Sequence, residues 1–258
     1  MKLSVIVVAH NEEKLIGNCL KALLSMRIPK GIEPEYLVVL DRCTDRTKEI
    51  VEGMGIPILE KNFRWNYSSP LVEAADYGIT KTDGELILLC DADIQEIPTD
   101  ALVRLLLHLT NKVKRVSADV RTKATKIRVN FFMWLKEKNA MINPLGTEPR
   151  GAFQLFRRET YEVVGGCDPT KPSFDTVFDM KIKARGWKVK RAPDVLVIER
   201  RDYTLDYLTR QQINAGRARR QLGIGFPRTF LHSIFRGRVF VLYGYLAESL
   251  NEMFKRGR

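Results

Sequence analysis

The stretch Glu85-Leu86-Ile87-Leu88-Leu89-Cys90-Asp91-Ala92-Asp93-Ile94-Gln95 runs an apolar segment of strand length into two carboxylates separated by one small residue. A strand buried on both faces reads as such a continuous run, and the carboxyl end of a strand in an open α/β sheet is where ligands sit. Two aspartates at that edge make a hard oxygen site suited to Mg²⁺ or Mn²⁺, which take one or two carboxylates together with substrate phosphates. Ala92 leaves room for a ligand, and Gln95 adds a neutral oxygen. Asp91 and Asp93 would also serve simply to end the strand and cap a helix, because Asp-x-Asp alone is a common pattern. Asp41 ends a second apolar run, residues 36–40, in the same manner. A carboxylate there can accept from a nucleobase N–H or a ribose hydroxyl, whereas Thr44 and Asp45 just beyond it read as helix caps.

These carboxylates need a scaffold, and hydrophobic periodicity supplies one. Residues 3–9 are β-rich, and 11–26 carry helical spacing at Leu15, Ile16, Cys19, Leu20, Leu23 and Leu24. Asn11 is placed to cap that helix, with Glu12 and Glu13 in its first turn. A strand over 36–40, a helix over 44–53, a strand over 56–59 and a helix over 71–81 lead to the strand of the opening stretch. Strands and helices alternating with short connections predict a parallel sheet wrapped by helices. Further on, a helix over 99–109 capped by Thr99 or Asp100 and a strand over 113–121 follow. Residues 123–143 are mixed and basic, with Ile127, Phe131, Met133, Trp134 and Leu135 apolar, and read as a helix on the sheet or an aromatic wall facing an acceptor.

Several segments resemble the family 2 glycosyltransferases of GT-A fold. They are residues 3–13, ending His10-Asn11-Glu12-Glu13; Val38-Val39-Leu40-Asp41 running into Thr44-Asp45-Arg46-Thr47; Ala74-Ala75-Asp76-Tyr77-Gly78; and Asp83-Gly84-Glu85 leading to Asp91-Ala92-Asp93. The Asp-Ala-Asp-x-Gln form is closest to the polyprenyl-phosphate sugar transferases of that family. The resemblance implies a mostly parallel GT-A sheet, with a nucleotide-sugar-binding half over 1–95 and an acceptor half over 96–224, and residues 225–258 read by their own pattern as a basic helical extension. It implies transfer of a sugar, with inversion, from a nucleotide-diphosphate sugar to a glycan or a lipid-linked acceptor such as a polyprenyl phosphate. It places Glu12 and Asp41 on the nucleoside, and Asp91 and Asp93 on the metal that holds the diphosphate. Two departures stand out: Leu40 replaces the first of a usual aspartate pair, and Arg64-Trp65-Asn66-Tyr67-Ser68-Ser69-Pro70 replaces a usual glycine-rich segment.

Gly151-Ala152-Phe153-Gln154-Leu155-Phe156-Arg157-Arg158 and the residues to Asp168 resemble the family's acceptor-side strand and helix. Family members carry an acidic pair about eleven residues before a glycine that here is Gly186. Its second member, the proposed catalytic base, then falls on Asp175, with Phe174 in the first place. Asp179, four residues on, would share a helix face with Asp175 and is the alternative. Either would also suit a helix N-terminus. After a strand over 195–198, a basic helix over 203–222 contains Gly216-Arg217-Ala218-Arg219-Arg220, which resembles the arginine-rich segment that closes the donor site in related transferases. Arginine forks match phosphate oxygens, so Arg217 is the donor-side candidate, against a solvated basic face.

The last segment, 229–258, steps its apolar residues Leu231, Phe235, Val239, Leu242, Leu246, Leu250 and Met253 by three or four. Such a basic amphipathic helix can lie in a membrane interface, pack on the sheet or pair with a second subunit. Residues 199–258 carry 12 Lys/Arg against 5 Asp/Glu, so +7 of the chain's net +12 lies there. That asymmetry suggests an anionic partner. No nucleic-acid motif accompanies it, and acidic strand ends would repel nucleic-acid phosphates unless a metal neutralised them. A sugar-phosphate nucleotidyltransferase would use the same parts, but the N-terminus lacks a glycine-rich phosphate loop followed by lysine. A non-enzymatic binder of anionic surfaces is the third reading. The 258 residues, 45% hydrophobic and 29% charged, suffice for one large or two small domains. Cys19, Cys43, Cys90 and Cys167 form no Cys-x-x-Cys pair and read as thiols of a reducing compartment. Residues 1–9 do not read as a signal peptide, and no apolar run reaches the roughly 18 residues of a membrane span. The expectation is a cytoplasmic protein, peripheral at most on the inner face of the cell membrane.

Overall fold

The computed structural model of the chain describes residues 1–123, 151–200, 205–235 and 237–256. Within them the order is β1 (Lys2–Ala9), α1 (Ile16–Leu24), β2 (Glu33–Asp41), α2 (Thr47–Glu52), β3 (Ile58–Lys61), α3 (Pro70–Thr80), β4 (Leu86–Asp91), β5 (Ile94–Glu96) and α4 (Ala101–His108). There follow β6 (Val113–Lys123), β7 (Phe153–Arg157), α5 (Arg158–Val163), α6 (Phe174–Ala184), β8 (Lys188–Arg200), α7 (Leu205–Gln221), α8 (Phe226–Phe235) and α9 (Val239–Arg256). The described residues fall into two compact units, 1–122 with 151–200, and the helices from 205 onward.

In the first unit the strands lie side by side in the order β3-β2-β1-β4-β7-β6-β8-β5. β1 pairs in parallel with both β2 and β4, and β2 with β3, as the alternating pattern predicts. β7 then joins β4 antiparallel and β6 joins β7 antiparallel. Residues 3–9 of β1 are all buried, because helices cover both faces of the sheet. On one face Ile16, Cys19, Leu20 and Leu23 of α1 and Leu102 and Leu105 of α4 pack on Leu3, Val5 and Val7. On the other, Val72, Ala75 and Ile79 of α3 and Phe174, Phe178 and Ile182 of α6 pack on Ile6, Val8 and Val39. Each such fully buried aliphatic side chain contributes about 1.5–3 kcal/mol. α3 lies so close that a Cβ added at Gly78 would stand 2.8 Å from methyls of Ile6 and Val39.

Element boundaries differ from the periodicity, most of all in β8, which runs over Lys188–Arg200 instead of 195–198, and at the starts of three helices. α1 starts five residues later than expected, because Asn11 adopts φ +56° and sends its side-chain oxygen to the Thr44 amide at 2.7 Å instead of capping. α2 starts at Thr47, because the Asp45 carboxylate accepts from both the amide and the hydroxyl of Thr47 and so holds a turn there. The Asp100 carboxylate binds Arg104 one turn on, with no side-chain cap on α4. The expected helix over 123–143 and the start of the basic helix at Tyr203 lie outside the described residues.

Among the described residues the second unit holds α7, α8 and α9, so the expected boundary at 224/225 falls inside it. α7 belongs with the C-terminal helices because its backbone meets α9 where each presents a glycine. A Cβ on Gly216 would run into the Val241 carbonyl, and one on Gly244 into the Ile213 carbonyl. The tail is two helices instead of one, divided at Gly237 with φ +59°. Val241, Gly244 and Tyr245 form the buried face of α9, while Val239, Leu246, Leu250 and Met253 of the predicted stripe are exposed. No helix of the described residues is long and apolar enough to cross a membrane.

Candidate functional site

Parallel pairing brings the ends of four strands to one edge. Val8 lies opposite Asp91, Ala9 opposite Leu40, and Asp41 opposite Lys61. Asp41 and Asp91 therefore flank the end of β1, about 10 Å apart across the sheet at two strand spacings, with Asp41 two residues further along its strand. Beyond β1, the loop carrying Glu12 is laced to the loop after β2. The Glu12 amide donates to Thr47 Oγ1 at 2.8 Å, the Glu13 amide to Asp45 at 3.0 Å, and Glu13 accepts from the Arg46 amide at 3.2 Å. Asp45 is thus a structural brace, as read from its cap position. Burial pushes its carboxyl up, but the bonds from Thr47 and Glu13 hold it below the usual carboxylate range.

Asp41 itself is buried, and its carboxylate is occupied. Arg42 donates to both oxygens at 2.9 and 2.6 Å, and the wholly buried Lys61 donates to Oδ1 at 3.1 Å. Lys61 also pairs with the buried Glu73 at 3.2 Å. Burial drives the Asp41 carboxyl up, and Arg42 and Lys61 together outweigh it, leaving it below its ordinary value. The contact expected of Asp41 with a nucleoside must therefore share oxygens with Arg42, itself a non-glycine residue at φ +52°. Glu73 further accepts from the Trp65 amide, pinning the Arg64–Pro70 segment, where Phe63, Trp65, Tyr67 and Tyr77 form an aromatic cluster. Nothing in the sequence around Lys61 and Glu73 singles them out, because a lysine ending a strand and a glutamate in a helix carry no local mark of burial.

At the other carboxylate pair, Asp91 is half-buried at the end of β4 and Asp93 is buried just past it. The Asp91 carbonyl accepts from the thiols of Cys19 and Cys90 at 3.5 and 3.3 Å, and the Asp93 carbonyl from the Arg200 amide at 3.0 Å. Gln95 turns its amide nitrogen to the Leu15 carbonyl at 3.0 Å, bracing the start of α1. Among the described residues no three His, Cys, Asp or Glu side chains converge as a protein-only metal site. Two aspartates nevertheless fit Mg²⁺ or Mn²⁺ chemistry, because these ions complete their shell with water and substrate phosphates.

The acceptor-side residues arrive at the same place. The Asp91 amide donates to the Ala152 carbonyl at 2.8 Å, and the preceding Gly151 lies against Asp175, where a Cβ would come within 2.9 Å of the aspartate's own Cβ. Asp175 opens α6, with Oδ1 accepting from Ser173 Oγ at 2.6 Å and from the Thr176 amide at 2.8 Å. Asp179 is instead buried and paired with Arg115 of β6. Burial raises its carboxyl above the ordinary value, against the opposing pull of Arg115. Arg217 is exposed on α7, in the other unit, where Arg219 donates to Thr229 and Arg220 pairs with Glu252.

A mixed sheet whose parallel strands β1 to β4 gather carboxylates at their carboxyl ends defines an α/β protein of the kind that holds ligands where its strands end. The sequence profile of glycosyl transferase family 2 matches residues 4–170, and the chain belongs to that family. It is 26% identical over 253 residues to a probable glycosyltransferase, YdaM, of Bacillus subtilis, covering 89% of this chain and 58% of the relative. It is 23% identical to a beta-monoglucosyldiacylglycerol synthase of Nostoc (72% of this chain, 42% of the relative). A bactoprenol glucosyl transferase of Shigella phage SfX is 25% identical (63% and 54%). The chain thus spans about half the length of these curated relatives. Among solved structures, the mannosyltransferase PcManGT of Pyrobaculum calidifontis, in complex with GDP-Man and Mn²⁺, superposes with a TM-score of 0.64 at 22% identity over 85% of this chain and 62% of that one. Glucosyl-3-phosphoglycerate synthase of Mycobacterium tuberculosis, bound to Mn²⁺ and UDP-glucose, gives 0.57 at 17% identity over 87% and 80%. These likenesses establish the GT-A fold expected from the motifs.

Proposed function

We propose that the chain transfers a sugar from a nucleotide-diphosphate sugar to a hydroxyl or lipid-linked acceptor, with inversion. One observation carries the reading: the Asp91 amide is bonded to Ala152 beside Gly151, which packs on Asp175, so the metal pair and the candidate base meet at one sheet edge. Glu12 and Asp41 flank the nucleoside, with Arg42 supplying positive charge beside it. Asp91 and Asp93 hold Mg²⁺ or Mn²⁺, which when bound stabilises the charge that grows on the diphosphate leaving group. Gln95 orients the loop that carries them through its bond to Leu15. Asp175, held by Oδ1, takes the proton of an attacking hydroxyl on Oδ2. A lipid-phosphate acceptor would already be ionised and would need no base.

Two relatives are named for lipids, diacylglycerol and bactoprenol, and this favours an acceptor at a membrane surface. The exposed apolar residues of α8 and α9 suit such a surface. Hydrolysis of a panel of nucleotide-sugars, with Mn²⁺ and with chelator, tests the reaction class. Turnover of at least one donor, lost on chelation, is expected. Calorimetry on Asp93→Ala tests the metal pair: unchanged donor affinity with Mn²⁺ present would refute that assignment.

A further inference from the structure

We propose that Arg115 is the positioning residue that holds the Asp175 base against the metal edge, with Asp179 as its anchor and not as a second base. The inference rests on the reading of Asp175 given above. Arg115 lies in β6, in the middle of the sheet, and its side chain is wholly buried. Its Nε donates to Gln154 Oε1 of β7 and its Nη1 to Asp179 Oδ1 of α6. Gln154 in turn donates through Nε2 to the Gly151 carbonyl at 2.9 Å. Gly151 is the residue packed on Asp175, and Asp175 stands one helical turn from Asp179. The contacts close a ring, from Asp175 to Gly151, Gln154, Arg115 and Asp179 and back along one turn of α6.

A buried arginine–carboxylate pair is a poor device for stability, because apolar residues of the same volume usually do as well or better. What the guanidinium provides is direction: its planar fork fixes two partners at a set angle, which neither lysine nor an apolar side chain reproduces. Here one arm fixes the helix that carries the base, and the other fixes, through Gln154, the glycine that the base leans on. Asp175 is thereby located from two sides. Asp179, buried and bonded to Arg115, is occupied as the post of that arm. The other charged groups near it are Asp175 and Lys183, both on the same helix.

The test uses the full chain and hydrolysis of whichever nucleotide-sugar the panel shows to be turned over, reading kcat and donor KM separately. The double variant Arg115→Met/Asp179→Leu replaces the pair by apolar groups and is expected to melt like the parent. Its kcat is expected to fall on the order of 10²-fold, the scale of a misplaced catalytic group, with donor KM unchanged. Gln154→Leu cuts the ring without touching the ion pair and should lower kcat in the same selective way, so the inference stays testable if the double variant misfolds. Arg115→Lys should recover only part of the loss. Native melting with parental kcat in the double variant, or in Gln154→Leu, would overturn the positioning role. Asp175→Asn, run in parallel, separates the two levels: if it stays active, the base assignment itself fails and this inference falls with it. If it is inactive while the double variant turns over normally, only the ring's role is wrong.

Discussion

At the scale of single residues, charge is concentrated where water is absent. Asp41, Lys61 and Glu73 are all nearly inaccessible, and one ammonium serves two carboxylates. Removing one partner of such a group leaves an uncompensated buried charge, at a cost of about 3–5 kcal/mol. Lys61→Met should therefore lower stability by about that amount at neutral pH, measured by urea unfolding. Its pH dependence has a definite sign. The folded Asp41 carboxyl lies below its ordinary value, since Arg42 and Lys61 outweigh the effect of burial. The stability it confers is present above the unfolded carboxylate range, near pH 4, and fades as pH falls through the lower folded value. The gap between parent and variant should accordingly narrow in acid. A gap that stays constant from neutral pH to pH 3 would show that Asp41 does not use this cation.

At the scale of elements, the helices are held against the sheet at distances that leave no slack. α3 approaches β1 and β2 at Gly78, where an added methyl meets Ile6 and Val39. Both are β-branched and stiff at χ1, so they cannot swing aside. Gly78→Ala should cost about 1–3 kcal/mol through overpacking, in spite of alanine's better helix propensity. Val39→Ala opens the space again, so the double variant should be more stable than the sum of the two single changes predicts, a coupling seen in a double-mutant cycle. Simple additivity would mean that α3 moves away from the sheet freely. The same closeness positions the site, because α3 also carries Glu73, which pins Trp65 and completes the charge cluster under Asp41.

At the scale of the whole molecule, the second unit turns apolar groups outward. Phe230, Leu231 and Ile234 of α8 and Val239, Tyr243, Leu246, Leu250, Met253 and Phe254 of α9 are all exposed, while Val241 and Tyr245 face inward. The segment also carries much of the chain's positive charge. An anionic lipid surface satisfies both features, and each basic residue near such a leaflet contributes on the order of 1 kcal/mol. Sedimentation with vesicles should show binding that rises with anionic lipid and falls with salt. Ile234→Glu with Leu250→Glu, both at exposed positions, should abolish it without lowering the melting temperature. A salt-indifferent dimer that ignores vesicles would assign this face to a second subunit.

The alternation of strands and helices as far as β4, the family resemblance and the carboxylates at the strand ends were all legible in the sequence. Each of these is written locally, in apolar runs, alternating periods and short motifs. The sequence did not determine where helices begin, because Asn11 bonds across to Thr44 and Asp45 turns the chain at Thr47, two residues on, in geometry that a cap pattern imitates. Nor did it show one helix becoming two at Gly237, or the stripe from Leu231 to Met253 facing outward, since the spacing is the same whichever way the face turns. In sequence only the motif count back from Gly186 ranks Asp175 ahead of Asp179, four residues on along the same helix. Tertiary structure separates them physically, by placing Arg115, sixty-four residues before Asp179, against one and Gly151 beside the other. Burial and ion pairing arise from contacts between distant segments, and no local window of the chain contains both partners.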